Sequence, residues 1–276
     1  MDEFELDGTT LTAWRGSAAA VKVPDTVTVI GESAFENSAI EEITLPDSIT
    51  EVGDWAFKNC KHLTRVKLPD SITAMGLNVF TGCSALKTAV LPKTMTTVEW
   101  GTFQDCTALE SVVLPEALTL VDFQAFVGCS ALKAVEFPDC LREIGAEAFE
   151  QCASLTGLRL PAGLQKLGVS AFRGCKNLGP VDLPDSLSLI GEMAFDDCGN
   201  LDHFTAHPGT PGWKWAVKNG KKVLESAAPV SRPAPAPAVT SVTAVAGELK
   251  ALKELLDGGI ITQADFDAKK KQLLGL

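Results

Sequence analysis

The chain has 276 residues, of which 46% are hydrophobic and 21% are charged. These values are close to the averages for soluble globular proteins, so they exclude a wholly disordered, collagen-like or coiled-coil chain. The formal net charge is −11, with 29 Asp/Glu and 14 Lys/Arg in residues 1–208 but 6 and 10, respectively, in residues 209–276. Because an acidic surface repels phosphate groups, nucleic acid is not an expected partner.

Signals for a membrane or for export are not found in the sequence. No stretch approaches the roughly 18 consecutive apolar residues that a membrane-spanning helix needs. The first residues, MDEFEL, lack the basic and apolar regions of a signal peptide. We therefore expect a cytoplasmic protein with no membrane insertion.

A repeat of 23 residues organises most of the chain, with the consensus LxxVxLPDSLTxIGxxAFxxCxx. Pro marks the repeat at positions 24, 46, 69, 92, 115, 138, 161 and 184. Phe follows at 35, 57, 80, 103, 126, 149, 172 and 195, and Cys at 60, 83, 106, 129, 152, 175 and 198. A fixed period of this length indicates a solenoid in which each repeat is one coil.

Each coil is expected to contain three segments. Residues 63–68 alternate between apolar and polar side chains, which predicts a strand, and Pro69 ends that strand with a turn. Residues 71–76 are short and extended, and the spacing of Phe and Cys after them suits one helical turn. Because one coil cannot bury its own apolar face, the coils must stack. The inward ladders are predicted to contain Leu63, Val66, Leu68, Ile72, Phe80, Cys83 and their equivalents.

Residues 45–60, LPDSITEVGDWAFKNC, carry the motif of a known repeat family. With their equivalents in eight copies in register, they make residues 8–206 resemble the BspA-like leucine-rich repeats. The resemblance implies a β-rich α/β solenoid, a leucine-rich repeat superhelix with one concave parallel strand, a second short strand and one short helical turn per coil. It also implies protein binding, and several bacterial relatives are cell-surface adhesins.

Both ends of the array carry expected caps, so the solenoid domain is predicted to span residues 1–225. The N-terminal cap is residues 1–23, in which residues 8–16 look like the hairpin-like cap of the family. In the C-terminal cap, residues 207–225, Thr210 and Pro211 predict the start of a helix and Asn219 its end. Trp213 and Trp215 are expected to cover the last coil.

Four residues depart from the repeat. Ser38 replaces the first Cys, Glu99 and Asp122 replace the Gly, and Pro180 falls within a strand. Because Pro180 has no N–H to donate, we expect looser strand pairing around it.

The last fifty residues predict a linker and a small helical domain. Residues 226–246 are rich in Pro and Ala, which is typical of an extended, flexible linker. Residues 252–262, LKELLDGGIIT, together with residues 266–274, resemble the short C-terminal (SHOCT) domain. A helical hairpin over 247–276 is too small to be stable alone, so it is predicted to form homo-oligomers or to dock on a partner. The residues predicted to make these contacts are Leu249, Leu252, Leu255, Leu256, Ile260, Phe266 and Leu273.

The sequence predicts neither an enzyme nor a cofactor or metal site. Nucleotide-binding, zinc-protease and hydrolase motifs are missing. His203 and His207, with Cys198 nearby, are an alternative metal site, but their spacing fits no known ligand set. The Cys ladder is expected to consist of buried thiols, because stacked positions about 4.8 Å apart do not suit disulfides. Cys140 lies outside the ladder and is the expected exposed thiol.

The outward side of the first strand is the first candidate surface for a partner. Its centre carries small or weakly polar residues and its flanks carry cations, which suits a polypeptide with acidic groups. The alternative is that the β-branched side chains serve only to pack the sheet. The candidate residues are Arg65, Lys67, Thr88, Val90, Ser111, Val113, Ala134, Glu136 and Arg159.

A second candidate surface lies three residues before each Phe of the repeat. This position is acidic at both ends of the array and apolar in the middle, at Leu77, Trp100, Phe123, Ala146 and Val169. An exposed apolar stripe is typical of an interface. The alternative is that Trp100 and Phe123 turn inward, since their repeats have lost the Gly.

Taken together, these features predict a non-enzymatic protein–protein interaction scaffold. The solenoid would bind a protein or peptide, and the tail would mediate oligomerisation or docking. A surface-exposed or secreted adhesin is the main alternative, and an enzyme of unrecognised type is a third.

Overall fold

The computed structural model describes residues 3–226 and four positions of the tail, Lys253, Gln263, Phe266 and Lys270. Contacts divide the chain into two units, residues 1–227 and 228–276. The first unit is a solenoid of stacked coils, in which equivalent residues 23 positions apart pair in parallel, as Arg65 does with Thr88 and Thr88 with Ser111. The solenoid predicted from the repeat is therefore confirmed.

The strands that precede the Pro of each repeat form a first column. Its members are β3 (Ala20–Lys22), β5 (Glu42–Thr44), β7 (Arg65–Lys67), β9 (Thr88–Val90), β11 (Ser111–Val113), β15 (Val181–Asp182), β17 (Phe204–Ala206) and β18 (Val223–Glu225). β7, β9 and β11 form one ladder, and β15, β17 and β18 another. The alternation of apolar and polar residues places one side of this column in the core and the other in solvent.

The strands that follow the Pro form a second column. It opens with the hairpin of β1 (Phe4–Asp7) and β2 (Thr10–Trp14). The strands that follow are β4 (Val29–Ile30), β6 (Glu51–Val52), β8 (Ala74–Met75), β10 (Thr97–Val98), β12 (Leu120–Val121), β13 (Glu143–Ile144), β14 (Lys166–Leu167) and β16 (Leu189–Ile190). The hairpin predicted at the N-terminus thus covers the first coil through the pairing of β2 with β4.

A column of stacked Phe rings fills the core between the strands. The rings of Phe35 through Phe195 follow one another with centroids 4.9–5.5 Å apart and planes within 5–18° of parallel. Most of the predicted inward residues are buried, and Leu63, Ile72 and Phe80 have no exposed surface, whereas equivalents such as Val112 and Cys198 are half-buried. This continuous apolar column is the main source of stability that the sequence provides.

Aromatic side chains close both ends of the Phe column. Trp14 stacks on Phe35 with ring centroids 6.2 Å apart. At the other end, Trp215 meets Phe195 and Phe204 edge-on at 6.0 and 5.7 Å. Trp215 lies on helix α1 (Pro211–Lys218), which begins at Thr210 and ends at Asn219 as predicted.

The expected helical turn of each coil takes the form of consecutive tight turns. In one coil, Lys58 N–H donates to the carbonyl of Trp55 three residues earlier, whereas Phe57 N–H donates to Val79 of the next coil. Trp55 and Asn59 have φ of 55° and 58°. Since every second N–H bonds to the neighbouring coil, a continuous helix cannot form here.

The first column is interrupted in the coils that contain residues 134–136 and 157–159. Among residues 3–226, these two segments form no strand, although the repeat predicts one in each. Pro180, in the next coil, offers no N–H to residues 157–159, which agrees with the looser pairing expected there. Phe137 replaces the usual Leu and packs edge-on against Phe149, with centroids 5.5 Å apart.

Candidate protein-binding surfaces

The strand face is defined here as the outward residues of the first column and of the two interrupted coils. Val113 is 44% exposed, and Val90 beside it on β9 is half-buried. Ser111 is exposed and Thr88 half-buried, so the centre of the face presents small side chains around two valines. Ala134, Glu136 and Arg159 are exposed as expected, but they lie on irregular backbone rather than on strands.

Charged residues on the strand face are partly paired with one another. The guanidinium of Arg65 donates a hydrogen bond to the carboxylate of Glu42 on the preceding coil. Lys133 Nζ lies 2.6 Å from Glu110 Oε2, and this hydrogen bond and charge lower the pKa of Glu110. Arg65 is therefore less available to a partner than the sequence indicates, since an ion pair with Glu42 already holds it.

Lys67 and Arg159 differ from Arg65 in this respect. Both are exposed, and neither forms an ion pair within residues 3–226. They lie on opposite sides of the valines along the solenoid. A polypeptide on the strand face would thus meet an unpaired cation towards either end.

The apolar stripe consists of Leu77, Trp100, Phe123, Ala146 and Val169. Trp100 and Val169 are 43% and 44% exposed, and the other members are half-buried. The indole of Trp100 meets the ring of Phe123 edge-on, with centroids 5.3 Å apart. The two rings therefore form a partly exposed pair on the surface and do not join the Phe column of the core.

Two acidic residues beside the stripe occupy positions where other coils require Gly. A Cβ at Gly76 would lie 2.5 Å from Asp54 N, and one at Gly168 would lie 2.2 Å from Ala146 N. Glu99 has a Cβ at this position. Among the described residues, strand pairing in the second column is interrupted next to Glu99, between β8 and β10. Asp122 follows on the next coil, where β10 and β12 pair again. The loss of pairing at Glu99 is confined to the strands, since Asn78 N–H still donates to Trp100 O at 2.8 Å across the same two coils.

Sequence reasoning missed a third exposed aromatic residue, Trp55, next to the stripe. Lys58 Nζ lies 5.7 Å from the centroid of the Trp55 ring and 3.4 Å from Glu36 Oε1. The signal was present in the spacing, because residues three apart in a tight turn face the same side. This arrangement joins an indole, a cation and a carboxylate on the surface.

The Cys ladder is built into the stack by hydrogen bonds. Each ladder Sγ donates to the carbonyl of the Phe in the preceding coil at 3.1–3.3 Å. Burial raises the pKa of Cys152, and it raises that of Cys198 to about 11. These thiols stay protonated at neutral pH, and all eight Cys are free. Cys140 is half-buried rather than open to solvent, since its thiol donates to Leu118 O at 3.2 Å.

The two histidines of the alternative metal site bind carboxylates separately. His203 Nδ1 lies 2.7 Å from Asp202 Oδ1, and His207 Nδ1 lies 2.9 Å from Asp185 Oδ1. Within the part of the chain that the structure describes, no three His, Cys, Asp or Glu side chains are arranged to hold a metal ion. The same residues contain no helix that is long and apolar enough to cross a membrane.

Most of the predicted tail contacts lie outside the described residues. These are Leu249, Leu252, Leu255, Leu256, Ile260 and Leu273. The four described positions are helical, and Lys270 Nζ lies 5.9 Å from the centroid of the Phe266 ring. Residues four apart lie on the same side of a helix, so this contact agrees with a helix that contains Phe266 and Lys270.

Family models match both parts of the chain. The model of the BspA type leucine-rich repeat region, with six copies, matches residues 13–133 and 96–210. The chain belongs to the BspA-type leucine-rich repeat family. Residues 248–274 match the model of the short C-terminal domain. No curated protein is significantly similar to this leucine-rich repeat chain.

Solved structures of bacterial leucine-rich repeat proteins have the same fold. A leucine-rich repeat protein from Bacteroides ovatus is 26% identical with a TM-score of 0.60, over 72% of this chain and 58% of that one. The leucine-rich repeat protein of T. pallidum is 27% identical with a TM-score of 0.50, over 79% of this chain and 91% of that one. The chain thus spans little more than half the length of the B. ovatus protein.

Proposed function

We propose that this leucine-rich repeat protein is a non-enzymatic scaffold whose strand face binds a protein or peptide. The observation that supports this most is the exposure of Val113, at 44%, beside Val90 on neighbouring coils. Apolar side chains that are exposed together in a row are typical of surfaces that a partner covers. The face also presents the unpaired cations Lys67 and Arg159, which favour a partner with acidic groups.

The small side chains of the strand face limit what fits on it. Thr88, Ser111 and Ala134 are small residues on three successive coils, with Ser111 and Ala134 exposed and Thr88 half-buried. Coils repeat about every 4.8 Å, so the three coils and the two that flank them span about 19 Å, which an extended segment of about six residues crosses. The proposed occupant is therefore a polypeptide segment rather than a small molecule, for which deep pockets are usual.

The tail is proposed to assemble copies of the chain or to dock on a partner. The supporting observation is its size, since about thirty residues rarely form a stable core alone. Assembly would raise the avidity of the strand face for a repetitive partner. Light scattering after gel filtration tests this on the full chain and on a chain ending at Ser226. A full chain with the mass of a monomer contradicts assembly.

We propose a cytoplasmic location, which the eight free thiols support because reducing compartments keep Cys unpaired. The alternative, a protein on the cell surface, is tested by adding protease to intact cells. Digestion of the solenoid before the cells lyse would contradict the cytoplasmic location.

Two substitutions test the strand face directly. Val90→Asp together with Val113→Asp places charges at its centre and is expected to abolish capture of the partner from native extracts. The matched control is Leu189→Asp with Val217→Asp, since these residues are 56% and 57% exposed elsewhere on the solenoid. If the strand-face variant retains capture at the wild-type level, with an unchanged melting temperature, the strand face is not the binding surface.

A further inference from the structure

The exposed ring pair of the apolar stripe lies directly beside two carboxylates. Trp100 and Phe123 follow Glu99 and Asp122 in the sequence, and equivalent positions of the two coils lie next to each other in the stack. The Phe123 N–H donates to Asp122 Oδ1 at 2.7 Å, which holds this carboxylate next to the ring. Aromatic faces and carboxylates both attract cations.

No cation of the solenoid occupies this position. Within residues 3–226, neither Glu99 nor Asp122 forms an ion pair, and the side chain of Glu99 has no hydrogen-bond partner. Burial raises the pKa of Glu99, and the neighbouring charge of Asp122 raises it further. Two carboxylates that are close together and without a counter-ion would both gain from an added positive charge.

A complete group of indole, cation and carboxylate lies at Trp55 on the same surface. At Trp55, the cation is Lys58, 5.7 Å from the ring centroid, and its carboxylate is Glu36. Trp100 has the exposed indole and carboxylates on both coils, but the residue three positions after it is the buried Phe103 rather than a cation. Within residues 3–226, no side chain supplies the cation that would complete the Trp100 arrangement.

We propose that the apolar stripe binds an amphipathic segment of a partner protein that carries Lys or Arg. The cationic group would contact Glu99 and Asp122 beside Trp100 and Phe123, and apolar residues of the segment would cover the stripe from Leu77 to Val169. The five coils of the stripe extend about 19 Å, which is the length of a helix of about 13 residues. The proposal concerns a surface separate from the strand face and does not depend on it.

Charge selects a cationic protein segment over the other classes of occupant. An anionic membrane surface would be repelled by Glu99 and Asp122 and by the net charge of −11. Solvation of Glu99 and Asp122 is also reduced by burial, which strengthens their attraction for a cation that excludes water. Trp and charged residues in such a site are typical of the few positions that dominate binding.

The test uses the full chain and two labelled 14-residue peptides that form amphipathic helices, one of Leu and Lys and one of Leu and Glu in the same pattern. Fluorescence anisotropy gives the Kd of each peptide. Glu99→Gln with Asp122→Asn removes both charges with little change in shape, and the amide oxygen that replaces the Asp122 carboxylate would still accept the Phe123 N–H. Glu116→Gln with Asp139→Asn is the matched control, since it removes two exposed charges on neighbouring coils elsewhere.

The proposal predicts that the Lys peptide binds and the Glu peptide does not. The Glu99/Asp122 variant should weaken binding of the Lys peptide at least tenfold, and the control variant less than twofold. Trp100→Ala should weaken binding as well. Equal losses in the Glu99/Asp122 and control variants would show attraction to net charge alone and would overturn the proposal. Failure of the Lys peptide to bind would overturn it too.

Discussion

The thiol of Cys106 donates a hydrogen bond of 3.1 Å to the carbonyl oxygen of Phe80 on the preceding coil. The same oxygen accepts the N–H of Cys83 at 3.1 Å, so two buried donors satisfy one buried acceptor. A small apolar residue would fill the space but would not donate a hydrogen bond to the Phe80 oxygen. The contact explains why Cys, rather than Ala or Val, repeats at this position.

The burial of these thiols predicts two classes of Cys reactivity in the native protein. A thiol reagent such as dithionitrobenzoate at pH 8 should react readily with the half-buried Cys140 and only slowly with the half-buried Cys198, because burial raises the pKa of Cys198 to about 11. The other six should react only when the protein unfolds, since their thiols are buried and hydrogen-bonded. Cys140→Ser should remove one reactive thiol without changing the melting temperature. Rapid reaction of more than two thiols in the folded protein would contradict the ladder.

Two glycines of the same chain predict opposite effects of an added methyl group. A Cβ at Gly168 would lie 2.2 Å from the backbone N of Ala146, so Gly168→Ala should destabilise the protein by about 1–3 kcal/mol or more. A Cβ at Gly157 meets no atom within 4 Å. Gly157→Ala should therefore be neutral or stabilise by roughly 0.4–1 kcal/mol. Urea denaturation measures both changes, and a destabilised Gly157→Ala variant would show that the strand face has no free space at this position.

The raised pKa of Glu99 predicts a stability change that depends on pH. Above its folded-state pKa, Glu99 is ionised in both states, and burial makes the ionised form less favourable in the folded state. Glu99→Gln should therefore raise the melting temperature at pH 7. As the pH falls through the raised pKa, folding takes up a proton, so the difference between variant and wild type should disappear below about pH 4.5.

The control for Glu99 is Glu116→Gln, which changes an exposed carboxyl on a neighbouring coil. It should leave the melting temperature nearly unchanged at both pH values. A Glu99→Gln variant that is less stable than wild type at pH 7 would mean that the Glu99 carboxylate has a stabilising partner. It would also remove the unpaired charge on which docking at Trp100 depends.

The repeat predicts the solenoid and the Phe column, and separate residues predict the helix after the last coil. Each rests on a local signal that recurs or is strong by itself, such as the spacing of Phe80 and Cys83 or the Thr210-Pro211 helix start. Because every coil faces an almost identical neighbour, local patterns determine the long-range contacts as well.

The interruptions of the two columns were harder to predict. Pro180 predicts weaker pairing beside residues 157–159, but it does not predict the loss of strand at residues 134–136. The break between β8 and β10 lies next to Glu99, but Asp122 replaces the same Gly without a break, so the sequence does not show which replacement interrupts the pairing. The pairing of Arg65 with Glu42 likewise depends on rotamers across two coils.

A photo-crosslinker placed on the surface tests whether the strand face binds another protein. Benzoylphenylalanine at Ser111 lies on the strand face, and the same residue at Ser188 lies at an exposed position just before β16 of the second column. If the strand face binds a protein, irradiation of native cells gives an adduct with another protein from position 111 and none from position 188. Adducts from position 188 alone, or from neither position, would contradict binding at the strand face.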